Sequence, residues 1–224
     1  MSFIDEQLNL RSKSTRCMLV PCTQKLYDVL LDDVEIETLV TYDSYMATAW
    51  VDNTELHHGC RLHRLIVGLD IEWRPNFNNN IEHPVATLQL CVGKSCLIFQ
   101  ILRADKIPRR LREFLGNSDY TFVGVGIEGD VRKLRNDYGL EVAKTRDLGS
   151  WAGDELGRAD LRYVGLKALA KEVVGVEIEK PQNVRLSRWD YHVLTEAQVT
   201  YACLDAYLSF EIGRRLSAWY EIDR

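Results

Sequence analysis

The clearest apolar run in the chain is Arg64-Leu-Ile-Val-Gly-Leu-Asp-Ile-Glu-Trp73, which stays hydrophobic until Asp70 interrupts it. A strand buried on both faces has this pattern, so the segment is predicted as a central strand of a sheet. Two more strands follow, Val85–Val92 and Ser95–Ile101, joined at Gly93-Lys94 by a plausible hairpin turn. Glu37–Tyr42 alternates like a strand, and Tyr120–Val125 and Lys144–Leu148 complete the set. Helices are predicted over Tyr45–Leu56, Arg109–Leu115 and about Gly129 to Tyr138, and most of the chain beyond Leu148 is helical in character. The last helix has the best-defined start. Thr195-Glu-Ala-Gln198 is a capping box flanked by Leu194 and Val199 as a hydrophobic staple, and the helix is expected to run to about Trp219.

Antiparallel strands first, then strands alternating with helices, predict an α/β fold. The expectation is a mixed sheet of about five strands, three antiparallel and then parallel, with helices on both faces in the ribonuclease-H-like order. Residues 1–34 are weakly patterned and read as an N-terminal arm or an accessory helix (Lys25–Leu31), and residues 35–224 as a single domain.

Composition changes this picture little. Twenty-eight Lys and Arg against 33 Asp and Glu give a net charge of −5, which excludes a generally basic coat but allows a local basic channel. Six cysteines without a CxxC pair read as free thiols in a reducing compartment. Neither a secretory signal nor a membrane-length apolar run is present, so the expected location is cytoplasmic, or alternatively nuclear.

Four carboxylates carry the chemistry. Asp70 and Glu72 lie two apart near the end of the apolar strand, so both project from one face. Unpaired charge is costly on such a strand, and a cation would offset that cost. Asp205 lies four residues after Tyr201 in the last helix, which stacks phenol and carboxylate on one stripe, with Gln198 on the same stripe. Asp130 stands in the first turn of the helix after Tyr120–Val125. Each motif has a plain structural explanation by itself: an ion pair, a half-buried tyrosine, a helix cap. Together they supply the oxygen ligands that hard divalent ions such as Mg²⁺ prefer, and two such ions can hydrolyse a phosphodiester.

Two other motifs compete. Gly124-Val-Gly-Ile-Glu-Gly129, with Asp147 further on, matches the dinucleotide-binding pattern of an oxidoreductase. It falls mid-chain after antiparallel strands, however, and leaves the carboxylates unexplained. His57-His-Gly-Cys60-Arg-Leu-His63 resembles a zinc cluster, but its donors are too tightly spaced and no second half exists.

Gly68-Leu-Asp-Ile-Glu-Trp73, Val123-Gly-Val-Gly-Ile-Glu-Gly-Asp130 and Tyr201-Ala-Cys-Leu-Asp-Ala206, in this order, resemble the DEDDy 3′–5′ exonucleases. That branch of the DnaQ-like superfamily includes ribonuclease D and the Werner-syndrome exonuclease domain. Ala86-Thr-Leu-Gln-Leu-Cys91 and Leu186-Ser-Arg-Trp189 support the match, which spans roughly residues 35–215. The resemblance implies that Asp70, Glu72, Asp130 and Asp205 carry two Mg²⁺ ions, for which Mn²⁺ can substitute. It makes Tyr201 the fifth signature residue and places Glu72 near the terminal hydroxyl or the nucleophilic water.

The lack of further domains resembles the plant RISC-interacting clearing 3′–5′ exoribonucleases. That implies single-stranded RNA as the favoured substrate, a ring-shaped homo-hexamer, and Argonaute as a partner. A Werner-type DNA exonuclease and a non-catalytic nucleic-acid-binding adaptor are the alternatives. Candidate substrate contacts are Trp73, Arg132, Lys133, Lys180, Arg188 and Trp189, which combine cations for phosphates with flat side chains for bases.

Overall fold

The computed structural model describes residues 10–13, 23–76 and 82–222. Their strands form one eight-stranded sheet: β1 (Leu10–Lys13), β2 (Gln24–Leu31), β3 (Val34–Thr41), β4 (Ile66–Trp73), β5 (Val85–Val92), β6 (Ser95–Phe99), β7 (Thr121–Gly124) and β8 (Thr145–Asp147). The spatial order is β1-β2-β3-β6-β5-β4-β7-β8. The half β6-β5-β4-β7-β8 has the expected layout, antiparallel from β6 to β4 and parallel from β4 to β8.

The expected count of five was too low. The accessory helix expected at Lys25–Leu31 is strand β2, which pairs along its whole length with β3, and β3 pairs in parallel with β6. Its sequence explains the difference. Tyr27, Val29 and Leu31 alternate onto a buried face, and Asp32-Asp33 forms the tight turn into β3, with Asp32 at φ 49°. Asp28 is also buried, and this blurred the period.

Helices cover both faces. Gly68, Asp70 and Glu72 share one face of β4, and the long terminal helix α7 (Glu196–Ile222) lies against it. Phe122 of β7 faces the other way, into an aromatic cluster with Trp50 and Phe114. Those two come from α1 (Ser44–His57) and α2 (Arg109–Leu115). Helix α3 (Ile127–Tyr138) connects β7 to β8, and α4 (Leu148–Glu155) packs beside α7. The capping box at the start of α7 forms as expected. Gln198 N donates to the Thr195 hydroxyl at 3.2 Å, and the Gln198 side chain accepts from Thr195 N at 2.9 Å. No helix among the described residues is long and apolar enough to cross a membrane. Cys60, Cys91, Cys96 and Cys203 are free, whereas Cys17 and Cys22 lie outside the described residues.

Candidate active site

The site exists because α7 lies almost directly on the backbone of β4. Gly68 makes this possible: a Cβ there would stand 2.0 Å from the Ala206 carbonyl oxygen and 2.6 Å from the Phe210 nitrogen. With no side chain between them, Asp205 of α7 comes down beside Asp70 and Glu72. One ligand oxygen from each of these three residues falls within 4.8 Å of the others, close enough to hold a metal ion together. Among the described residues no other set of three acidic, histidine or cysteine side chains converges in this way, so His57–His63 does not.

Asp130 enters from the first turn of α3. It lies outside the tight group of three but close enough to raise the pKa of both Asp70 and Glu72. The glycines of the competing motif put it there. Gly124 passes 2.7 Å (as a virtual Cβ) from the Leu69 carbonyl, and Gly126 turns into α3 with a left-handed φ of 71°. Asp147, which a dinucleotide would need for its ribose, accepts from Gly126 N and Ser150 N instead. The glycine pattern is therefore accounted for by chain packing and helix entry.

Electrostatically the cluster is short of positive charge. Burial, and then the neighbouring carboxylates Asp205, Glu72 and Asp130, push Asp70 well above the usual carboxylate range. Burial and Asp205 raise Glu72 to about 8, and burial raises Asp130 to about 7. Asp205 is also raised by burial, but less freely, because Lys180 and the Tyr201 hydroxyl stabilise its charged form. Carboxylates with these surroundings suit divalent cations, which favour the ionised ligands that burial disfavours.

A stability test follows from these directions. The raised groups hold their protons more tightly in the metal-free fold than in the unfolded chain, so their contribution is complete below about pH 4, near their unfolded values. It is lost as pH rises through about 7 for Asp130 and about 8 for Glu72. Thermal melts in EDTA should show Tm falling between pH 6 and 9. Adding Mg²⁺ or Mn²⁺ at a hundredfold excess over its Kd should restore about 2.7 kcal/mol, or roughly 5–11 °C, with the larger gain at pH 8. A pH-independent Tm with no response to either metal would refute this account.

The expected substrate contacts separate into distinct environments. Trp73 is half-buried just after a β-bulge, with the Lys133 ammonium 5.4 Å from its ring centre. Lys133 is also paired with Asp137 at 3.2 Å. Arg132 is exposed and makes no ion pair among the described residues. Arg188 forms a two-pronged pair with Asp190 and sits over the ring of Tyr191.

Two expectations need correcting. Trp189 is only 1% exposed and offers no face to a base. Its ring packs against Tyr201 at 5.9 Å, and its indole N–H donates to the Arg185 carbonyl. Lys180 is turned inward, 2.7 Å from Asp205 Oδ2 and 4.9 Å from the Tyr201 ring centre, so here it is a counter-ion of the carboxylates.

Residue-level reading passed over Gln89. It is fully buried in β5, directly opposite Asp70 in register, and donates to the Thr87 hydroxyl at 2.7 Å, while its Oε1 has no protein partner. The available signal was a lone amide inside a strand that is buried at all eight positions.

A family model for the 3′–5′ exonuclease domain matches residues 48–219, which contain every one of these groups. The chain belongs to the 3′–5′ exonuclease family. It is 38% identical over 152 residues to a 3′–5′ exonuclease of Arabidopsis thaliana, covering 67% of this chain and 52% of the relative. Over 152 residues it is 36% identical to the bifunctional 3′–5′ exonuclease/ATP-dependent helicase WRN of Mus musculus, covering 67% of this chain and 11% of the relative. The chain thus spans about half, or much less, of the length of these exonucleases. The crystal structure of Escherichia coli RNase D superposes with a TM-score of 0.67 at 17% identity, over 82% of this chain and 45% of that one, which shows a shared fold. NrnC of Brucella melitensis likewise shares the fold, with a TM-score of 0.58 at 22% identity over 70% of this chain and 74% of that one. The three exonuclease-like motifs of the sequence meet at the cluster of Asp70, Glu72 and Asp205, with Asp130 beside it.

Proposed function

We propose that this exonuclease removes nucleotides from the 3′ end of single-stranded RNA by a two-metal hydrolysis, releasing 5′-mononucleotides with Mg²⁺ as the physiological ion and Mn²⁺ able to replace it. The observation that carries the proposal is the convergence of Asp70, Glu72 and Asp205 within 4.8 Å. Those three, with Asp130 beside them, would hold the ions. Divalent ions, when bound, supply Lewis acidity toward the attacking water and the leaving oxygen of a phosphodiester.

The chain's own groups do the rest. The Tyr201 hydroxyl bonds to Asp205, and its ring is wedged between Lys180 and Trp189, so its orientation is set before substrate arrives. Arg185 is exposed, yet close enough to act electrostatically on both Glu72 and Tyr201, which suits it to a substrate phosphate. Arg132 offers a second free cation on the α3 side.

The resemblance to the plant clearing exoribonucleases stated above favours RNA over DNA. On the same ground the proposal extends to a ring-shaped homo-hexamer acting in the cytoplasm beside Argonaute. The test is a 5′-labelled single-stranded RNA, and DNA of the same sequence, incubated with Mg²⁺ or EDTA. A metal-dependent ladder shortening from the 3′ end, faster on RNA, is expected. Faster shortening of DNA would reverse the substrate assignment, and no ladder on either strand despite tight binding would leave the adaptor reading.

A further inference from the structure

We propose that a pocket beside the second half of α7 is a second nucleotide-binding site, which binds a phosphate remote from the reacting 3′ end. The pocket, about 320 Å³, lies between the 3₁₀ turn Gly59–Arg64, the tip of the β5–β6 hairpin and the second half of α7. Small-ligand pockets begin at about this size.

The charge around it is unusual for a protein of net charge −5. His58, Arg61, Arg64, Lys94 and Arg214 line it, against a single carboxylate, Glu211. Glu211 is already committed, receiving two hydrogen bonds from Arg214 at 2.7 and 2.6 Å and one from Arg215 at 3.1 Å. Arg61 and Lys94 are exposed and have no counter-ion among the described residues. Burial, followed by the charges of Arg61 and His57, holds His58 below its ordinary value. The floor is apolar, made by Leu65, Val92 and Phe210.

Exposed cations beside an apolar floor match an anion that carries a flat, weakly polar body. A nucleotide is that kind of ligand: the Arg61 fork and the Lys94 ammonium suit its phosphate, and the floor suits its base. The pocket is separate from the carboxylates. Ile66, on its wall, precedes Asp70 by four residues of strand, about 13 Å. Arg214 follows Asp205 by nine residues of helix, also about 13 Å. A nucleotide held here is therefore not the one being hydrolysed. It is either an upstream nucleotide of the same strand or a free nucleoside 5′-monophosphate, and both present the same phosphate chemistry.

The inference rests on the single-stranded substrate proposed above, and its test separates the two. Fluorescein-labelled RNAs of 3 and 15 nucleotides are titrated by polarisation against Asp70→Ala protein in Mg²⁺, with and without Arg61→Ala/Lys94→Ala. Adenosine 5′-monophosphate is titrated calorimetrically against the same proteins. Arg109→Ala/Arg135→Ala, which removes two exposed cations elsewhere, controls for general charge.

Loss of the two pocket cations is expected to weaken the 15-mer about tenfold and flatten its salt dependence by roughly one charge or more, leaving the 3-mer unchanged. Weakened mononucleotide binding with an unchanged 15-mer would support the site and assign it to free nucleotide. No change in either ligand, or a drop no greater than in the control, overturns the proposal. So does a change of oligomeric mass in light scattering without a change in nucleotide affinity, which would make the pocket a subunit interface. Failure of the 3-mer to bind any of the proteins would instead count against the substrate reading.

Discussion

Asp70→Ala is expected to reduce exonuclease turnover by about a thousandfold or more without unfolding the protein. Asp70 is one of three side chains that converge within 4.8 Å, and its removal leaves Glu72 and Asp205 as an incomplete ligand set. Metal stabilisation of transition-state charge is worth several kcal/mol, and each 1.36 kcal/mol is about tenfold in rate. Stability should move the other way. Asp70 is raised by burial and by three neighbouring carboxylates, so deleting it relieves a desolvated cluster of like charge. The variant should therefore melt no lower than the parent in EDTA, and the rise in Tm on adding Mg²⁺ should shrink or vanish. Full activity in Asp70→Ala would mean that the site has been misassigned.

The second large effect is structural. Gly68→Ala should destabilise the protein by about 3 kcal/mol or more, lowering Tm by roughly 6–12 °C. The added methyl would stand 2.0 Å from a main-chain oxygen and 2.6 Å from a main-chain nitrogen of α7, neither of which can rotate away. The helix must move as a body, and Asp205 moves with it, so activity should fall together with stability. Gly59→Ala is the matched control. Nothing lies within 4 Å of a Cβ at Gly59, and its substitution should change stability by no more than about 0.5 kcal/mol. Equal melting of the two variants would show that the close approach of α7 to β4 is not needed.

These two variants also mark the border between sequence-level and structural information. The carboxylates, Tyr201 and the core order of strands were legible because each has a local cause. Period-two spacing put Asp70 and Glu72 on one face, helical spacing stacked Tyr201 with Asp205, and the capping box located the start of α7. Periodicity also placed β4 to β8 within a few residues. It failed at β2, where a buried Asp28 disturbs the alternation and the pairing partner, β3, is what decides strand over helix.

The substrate contacts were the least legible part. Trp189 and Lys180 are suitable residue types in the right segment, but residue type does not say which way a loop folds. Trp189 turned inward to support Tyr201, and Lys180 turned inward to neutralise Asp205. Arg185, four residues before Trp189, is exposed and within electrostatic reach of Glu72.

Four carboxylates and a tyrosine, at spacings set by strand and helix geometry and within an α/β order of elements, were legible along the chain. Packing alone reveals that Gly68 lets α7 rest on β4, that Gln89 lies buried opposite Asp70, and that five basic side chains from three separate segments gather beside the second half of α7. The physical reason is distance along the chain. Periodicity and capping act over a few residues, whereas these contacts join segments tens to more than a hundred residues apart, and only the packing of the sheet against its helices brings them together.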